Sequence, residues 1–352
     1  MQEPLMTSKG VWGRILLIAP FFLWGTAMVA MKGVMPTTTP LFMAGFRLVP
    51  AGVLVLLAGM LMGRPQPKTW KAWLWIGLFA LVDGALFQGF LAEGLMRTGA
   101  GLGSVMIDSQ PLAVAILSLW LFQETIGFYG WLGLAIGILG ISLIGLPDQW
   151  VVGLFNSDSL TAVGGGGEVW QSGEWLMLLA ALSMAVGTVM VRVICRYADP
   201  VVATGWHLIL GGIPLFALSA TVETQQWTHI EGAGWMALGY AAIFGSAIAY
   251  GLFFYFASSG SLTSLSSLTF LTPIFALFFG NLFLGEILSP LQSVGVGLTL
   301  VSIYLVNQRD ILGDKLRFNR TEETEGIIEE NDQDALKVVV KVPVMESKTK
   351  LM

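Results

Sequence analysis

The chain has 352 residues, of which 55% are hydrophobic and only 12% are charged, and its net charge is −5. Soluble globular proteins carry about twice that share of charged residues, so the composition excludes a water-soluble domain. The same numbers exclude intrinsic disorder over residues 1–310. Uncharged stretches of roughly 20 residues favour membrane-spanning helices over β-barrel strands, which would be about 10 residues long.

Apolar runs long enough to cross about 30 Å of hydrocarbon predict an all-α polytopic membrane protein with ten transmembrane helices. In chain order the predicted helices are Trp12–Val34, Pro40–Met62, Ala72–Gly94, Gly99–Phe122, Gly127–Leu146, Glu174–Arg196, Pro200–Ala220, Gly234–Ala257, Ser261–Leu284 and Leu288–Asn307. Most connections are short, so consecutive helices are expected to be antiparallel neighbours.

One long connection divides the chain into two halves. It contains Gly164–Gly167 and several acids but no Lys or Arg, which is typical of a flexible linker. The predicted organisation is a cytoplasmic N-terminus (1–11), a first five-helix unit (12–146), an external Gly-rich acidic linker (147–173), a second five-helix unit (174–307) and a disordered cytoplasmic tail (308–352).

The distribution of Lys and Arg predicts the orientation in the membrane. With the N-terminus inside, the outer side holds only Lys32 and Arg97. The cytoplasmic side holds Lys9, Arg14, Arg64, Lys68, Lys71, Arg192, Arg196, Arg309, Lys315, Arg317 and Arg320. We therefore expect a multi-pass plasma-membrane protein, of the bacterial inner membrane, with both termini in the cytoplasm.

An internal repeat relates the two halves of the chain. A shift of 162 residues aligns, among others, Gly25 with Gly187, Trp73 with Trp235, Gly89 with Gly251, Ser104 with Ser266, Pro111 with Pro273, Glu124 with Glu286 and Gly133 with Gly295. A shift of 160 aligns Pro40 with Pro200 and Arg47 with His207. We call such pairs repeat mates. Because five helices are an odd number, the second unit enters the membrane from the opposite side, so two inverted five-helix repeats are predicted.

Several short motifs of this repeat resemble those of a known family. Phe22-Leu23-Trp24-Gly25 is similar to the start of an EamA-type unit, and Arg47 lies where such units often carry an arginine. Leu119–Glu124 and Phe283-Leu284-Gly285-Glu286 resemble the "FLGE" end of its fourth helix, although Gln123 replaces a glycine. Two tandem units over residues 12–307 resemble the drug/metabolite transporter superfamily, which implies transport of small molecules, often by export.

Ionisable residues in the middle of a membrane are costly unless they are paired or hydrated, so they are candidates for function. Asp83 and Asp108 lie near the middle of the third and fourth predicted helices, about 15–18 Å from the turn between them. A buried carboxylate can bind and release a proton, and each aspartate is therefore a candidate for proton coupling. Alternatively, both hydrogen-bond helices together or lie in a wet vestibule. Their repeat mates, Phe270 and Gly245, are not acidic.

Six further polar or aromatic residues are candidates for contact with a substrate. Arg47 and His207, each about 10 Å from one membrane face, suit an anionic group such as a carboxylate. The alternatives are snorkelling or a salt bridge for Arg47, and helix packing for His207. The other candidates, for which packing between helices is the alternative, are Gln88, its repeat mate Tyr250, Gln110 and Trp24.

Two pairs of repeat mates suggest mechanical roles. Pro111 and Pro273 interrupt their predicted helices, which favours a hinge over direct substrate contact. Glu124 and Glu286 end their helices at opposite membrane faces, where solvation or the capping of a neighbouring helix competes with gating.

These features predict a secondary transporter of small polar metabolites, such as amino-acid-like compounds or drugs, that exports them by alternating access, with or without proton coupling. Neither an enzymatic function nor a cofactor is expected, because the sequence has no HExxH, GxSxG or P-loop motif and two histidines are few for a metal site. The expected partners are the lipid bilayer, a small-molecule substrate and, with coupling, protons, but no nucleic acid. The chain is expected to act as a monomer or homodimer. An intramembrane enzyme and a receptor or scaffold are the alternatives.

Overall fold

The computed structural model describes residues 11–122, 127–145, 173–253, 268–269 and 271–308. All regular secondary structure in these ranges is helical, which confirms the predicted all-α fold. The elements are α1 (Val11–Val34), α2 (Pro40–Leu61), α3 (Trp70–Arg97), α4 (Ala100–Asp108 and Gln110–Phe122), α5 (Phe128–Gly145), α6 (Gly173–Ile194), α7 (Pro200–Val222), α8 (Gly232–Phe253), α9 (Leu271–Leu284) and α10 (Pro290–Asn307). Glu124 and nearly all of the predicted linker and tail lie outside the described residues.

Seven of these helices are long and apolar enough to cross a membrane. They are α1 to α4 and α6 to α8. The remaining three, α5, α9 and α10, are also apolar but shorter over their described lengths. The chain is therefore a multi-pass membrane protein, while the number of ten spans stays a prediction.

Local sequence signals account for several helix starts. Pro40, Pro200 and Pro290 each occupy the first turn, where the missing N–H has no helical acceptor to lose. Asp199 caps α7, since its carboxylate accepts hydrogen bonds from the backbone N–H groups of Val201 and Val202. These signals set the starts of α2 and α7. Arg47 and His207 therefore lie equally far from the starts of their helices, Pro40 and Pro200.

Three helices are irregular in their middle. Within α3, residues Ala80–Leu86 form a π-helical turn, and Ile243–Ile248 form another in α8. The two turns are almost coincident under the shift of 162 residues, so the irregularity is itself repeated. In α4 the helix is interrupted at Ser109, immediately before Gln110 and Pro111.

The helices of the two halves pack in pairs that the repeat relates. Helix α2 packs along α7, and α5 packs along α10, so that each joins its own counterpart. The contact of α1 with α9 corresponds to that of α6 with α4, and the contact of α1 with α8 corresponds to that of α6 with α3. The core of the described residues therefore lies between the two halves.

Glycines allow the close approach of α2 and α7, and the contacts are again exchanged by the repeat. A Cβ atom at Gly45 would lie 2.8 Å from Cγ of Phe216, and one at Gly205 would lie 2.7 Å from Cδ2 of Leu56. Gly205 is the repeat mate of Gly45, and Phe216 is that of Leu56. The same pair of contacts thus occurs twice, once in each direction.

Candidate functional site

Arg47 lies on the buried face of α2, seven residues after the helix begins at Pro40. Only 7% of its surface is exposed, and its Nη2 donates a hydrogen bond to Oε1 of Gln88 on α3. The Nε–H of Arg47 is buried and has no hydrogen-bond partner in the part of the chain that the structure describes. The guanidinium therefore points into the bundle instead of reaching the membrane surface.

Asp83 and His207 meet across the boundary between the two halves. The π-helical turn of α3 brings Oδ2 of Asp83 to 3.2 Å from Nε2 of His207 on α7. Both residues are buried, and the imidazole lies against the ring of Phe79 at a centroid distance of 4.1 Å. The two atoms are at ion-pair distance, but they are not aligned as a hydrogen bond. A proton on either group would change the charge of this pair inside the membrane.

Tyr250 joins these two contacts into one cluster. Its phenol on α8 hydrogen-bonds with Gln88 and lies within electrostatic range of both Arg47 and Asp83. We define the interhelical cluster by its members, Arg47, Asp83, Gln88, His207 and Tyr250. These residues come from α2, α3, α7 and α8, so the cluster combines both halves of the chain.

Trp24 lies beside the cluster, on α1. Its ring contacts that of Tyr250 at a centroid distance of 5.5 Å in an edge-to-face geometry, and that of Phe253 at 5.3 Å. The indole thus forms an aromatic wall next to the phenol, and α1 also borders the site.

Asp108, Gln110 and Pro111 are near the interruption of α4. The Asp108 carboxylate accepts a hydrogen bond of 3.1 Å from Ser104, one turn earlier on the same helix. Gln110 donates a hydrogen bond of 2.5 Å to Thr188 on α6. Asp108 therefore has a different polar partner from Asp83, which faces His207, and the similar depth of the two aspartates stays a prediction. The position of Pro111 just after the interruption agrees with a hinge, which stays a prediction.

Glu286 holds the N-terminus of α4. It follows α9, and its carboxylate accepts hydrogen bonds of 2.6 and 3.0 Å from the backbone N–H groups of Ala100 and Gly101. This geometry is the capping of a neighbouring helix, whereas the proposed gating role stays untested. Pro273 lies in the first turn of the described part of α9, and Glu124 falls outside the described residues.

Sequence reasoning missed three residues that shape this region. Gly187 makes room for Asp83, since a Cβ atom there would lie 2.5 Å from Oδ1 of the aspartate. Thr188 binds Gln110, and Glu223 caps α2 by accepting hydrogen bonds from the N–H groups of Leu41 and Phe42. Only Gly187 had a signal in the sequence, because it is the repeat mate of Gly25.

A cavity of about 630 Å³ lies between α1, α8 and α9. Its lining is mostly apolar and includes a hydrogen-bonded pair at its polar edge, Thr26 and Tyr240, 2.7 Å apart. The residues of the interhelical cluster do not line this cavity. The cavity and the cluster are therefore separate features, and the described ionisable residues predicted for substrate contact or proton coupling are in the cluster or at the interruption of α4.

The sequence matches a family model twice. The model of the EamA-like transporter family matches residues 11–146 and residues 171–308. The predicted resemblance, including two units in tandem, is therefore confirmed.

Three relatives support this match. The chain is 62% identical to an uncharacterised transporter of Synechocystis over 90% of this chain and 96% of that protein. It is 54% identical to a WAT1-related chloroplastic protein of Arabidopsis thaliana over 83% of this chain and 68% of the relative. It is 28% identical to the protein PecM of Dickeya dadantii over 87% and 95% of the two chains.

A solved crystal structure shares the fold. It superposes with a TM-score of 0.59 and 17% identity, over 86% of this chain and 97% of the other. At this level of identity the likeness concerns the fold alone.

Proposed function

The chain belongs to the EamA-like transporter family and is a membrane transporter of the drug/metabolite transporter superfamily, and from this premise we propose that it exports small polar metabolites by alternating access. The observation that supports the proposal most directly is the interhelical cluster. Buried polar and ionisable side chains inside a membrane are costly, and in transporters they mark the path of substrates and protons. The five members of the cluster come from both family segments.

The repeated contacts support an inverted arrangement of the two halves. Five helices in each half place the second half upside down relative to the first, and helix pairs such as α2 and α7 then pack about a twofold axis in the membrane plane. Two near-equivalent halves can exchange their arrangements, which opens the same central site first to one side and then to the other. The ten-span, inverted topology is therefore part of the proposal.

Proton coupling is assigned to the pair of Asp83 and His207. The two groups face each other across the halves at 3.2 Å, so movement of one half against the other changes their separation. The groups that surround the pair are Arg47 on α2, Gln88 on α3 and Tyr250 on α8, while α6 presents Gly187. A proton bound by the pair in one arrangement and released in the other would couple the proton gradient to transport.

Transport in reconstituted liposomes tests the proposed function. The purified full-length chain is reconstituted, a pH gradient is imposed in either direction, and fluxes of labelled amino acids and drugs are measured against empty liposomes. We expect flux of at least one polar compound, with a rate that depends on the gradient. No flux above empty liposomes in either direction would contradict transport, and flux that ignores pH would contradict the coupling alone.

The orientation is tested independently. The Lys and Arg distribution predicts a cytoplasmic C-terminus, so a reporter fused after Met352 is expected to show a cytoplasmic location. An external location would contradict the proposed orientation, and together with a cytoplasmic N-terminus it would contradict an even number of spans.

A further inference from the structure

We infer that the transported substrate carries a carboxylate group, and that this group binds the guanidinium of Arg47, which has no acidic partner among the described residues although its repeat mate His207 does. The inference rests on the proposed transport function and names the class of its substrate. It is supported by the burial of Arg47, by its missing partner and by the difference between the two repeat mates Arg47 and His207.

Arg47 carries a buried charge that has no counter-ion among the described residues. Its side chain is 7% exposed, and in the described part of the chain it forms no ion pair. Its described hydrogen bond goes to a neutral amide oxygen, that of Gln88, while Nε–H has no partner. Removing a cation from water without pairing it is strongly unfavourable. An anion at this place would therefore be stabilised.

The comparison of the two repeats shows which carboxylate one half supplies and the other half lacks. His207, the repeat mate of Arg47, faces the carboxylate of Asp83 on the π-helical turn of α3. The corresponding turn of α8 packs against α2, but the residue at the place of Asp83 is Gly245. One half thus supplies its own carboxylate, and the other half does not.

The packing of Gly245 prevents the chain from supplying this carboxylate itself. A Cβ atom at Gly245 would collide with the Cβ atom of Ala27 on α1. Any acidic side chain at this position would therefore displace α1. The missing negative charge is therefore assigned to a substrate, which binds and dissociates in each transport cycle.

The neighbouring groups suit a carboxylate. A guanidinium presents N–H donors in a planar fork that matches the two oxygens of a carboxylate. The Gln88 amide and the Tyr250 phenol adjoin this fork and can contact other polar atoms of the substrate, and the Trp24 ring offers an apolar surface. A small molecule with a carboxylate at one end and an apolar body fits this arrangement.

Replacement of Gln88 by glutamate is the sharpest test. In Gln88→Glu, a carboxylate of almost the same shape is placed against Arg47, where it would form the missing ion pair. We expect the variant to unfold at a higher Tm than the wild type and to lose carboxylate binding by about 10-fold or more. If Arg47 were only structural, the Tm would rise in the same way but ligand binding would be unchanged.

Binding is measured by the rise in Tm of the purified full-length protein. The probes are acetate, benzoate, phenylalanine and inorganic phosphate, each at high concentration, together with the matched compounds in which an amide replaces the carboxylate, namely acetamide, benzamide and phenylalaninamide. We expect at least one carboxylate to raise the Tm of the wild type by about 2 °C or more, and its amide counterpart to have no such effect. A response to phosphate alone would contradict the carboxylate.

Arginine variants provide the matched control. Arg47→Gln is expected to lose the response to the carboxylate, and Arg47→Lys to retain part of it, since the charge remains but the fork is lost. Arg64→Gln removes a partly exposed arginine that pairs with Asp199 at 3.4 Å, and it is expected to respond like the wild type. A full response of Arg47→Gln, or no response of the wild type to any carboxylate, would overturn the inference.

The transport assay separates this inference from the proposed function. If the liposomes transport only neutral or cationic compounds, and Arg47→Gln transports them at the wild-type rate, the inference is wrong while the transporter function stands. If no compound is transported although a carboxylate stabilises the protein through Arg47, the site exists and the proposed function is wrong.

Discussion

Helices α2 and α7 occupy equivalent positions in the two halves, but the charged groups beside them differ. Helices α2 and α7 begin with proline, pack along each other and carry Arg47 and His207 at equivalent positions. Around His207 the chain supplies a carboxylate from Asp83 at 3.2 Å, whereas around Arg47 it supplies the neutral Gln88. The packing of α2 and α7 is therefore repeated in the two halves, while the charged groups beside Arg47 and His207 are not.

This difference shows how a repeated scaffold can carry two separate tasks. Contacts that only hold helices together are repeated in both halves, as with Gly45 against Phe216 and Gly205 against Leu56. The ionisable groups need not be repeated, because each is adapted to its own partner. In the functions proposed above, one half handles a proton and the other half an anionic substrate.

The largest expected effect concerns the glycine that accommodates Asp83. In Gly187→Ala, the new methyl group would lie 2.5 Å from Oδ1 of Asp83, so we expect a loss of about 2–3 kcal/mol in the free energy of unfolding. Chemical unfolding in detergent measures it. The control is Gly239→Ala, whose methyl group would meet no atom within 4 Å.

Removal of the Asp83 side chain is expected to relieve the same clash. Because the methyl group meets the aspartate side chain, adding Asp83→Gly to Gly187→Ala is expected to cost less than the sum of the two single changes. Strict additivity would show that Gly187 and Asp83 are not in contact.

The second effect concerns the pair that only one half possesses. A double-mutant cycle of Asp83→Asn and His207→Gln is expected to give a coupling energy of about 1–2 kcal/mol, because the two groups face each other in a buried place. The coupling is measured from unfolding at neutral pH. Asp108→Asn serves as the control, since its described polar partner is Ser104, and its coupling to His207→Gln is expected to be close to zero.

The third effect tests the symmetry of the packing. Gly45→Ala and Gly205→Ala each place a methyl group against a side chain of the opposite helix, and we expect each to cost about 1 kcal/mol of unfolding free energy. Both values are read from the same unfolding experiment. A large cost at one glycine with none at the other would contradict equivalent packing of α2 and α7.

The smallest expected effect is at the helix cap. Glu286→Gln weakens two hydrogen bonds to the N-terminus of α4, which should reduce the unfolding free energy by about 0.5–1 kcal/mol. Glu231→Gln is the matched control, because Glu231 precedes α8 without a side-chain hydrogen bond to it. Equal free energies of unfolding for the two variants would contradict a stabilising cap by Glu286.

Much of the fold follows from patterns along the chain. Uncharged runs of about 20 residues must form helices in a membrane, because each backbone N–H and C=O group needs a partner within its own segment. The start of α2 at Pro40 and of α7 at Pro200 agrees with the predicted helix starts. The π-helical turns of α3 and α8 were not foreseen, since no local sequence signal distinguishes them from regular helix.

The site was predicted in its members but not in its contacts. Arg47, Asp83 and His207 could be found because an ionisable residue is conspicuous in an apolar run. The partners of these residues could not be found in this way, because the sequence does not indicate which face of a helix packs against which neighbouring helix. Asp83 and Asp108 are an example, because their positions in neighbouring helices do not reveal that their partners are His207 and Ser104.

The sequence by itself determined that this chain is helical, lies in a membrane and is built from two related units, because hydrophobic length and repetition are one-dimensional properties. Only the tertiary structure decided that Asp83 pairs with His207 and that, among the described residues, no carboxylate pairs with Arg47. These outcomes depend on how α2, α3, α7 and α8 cross and on where a glycine lets a neighbour approach. Such distances arise from packing in three dimensions, and no spacing along the chain contains them.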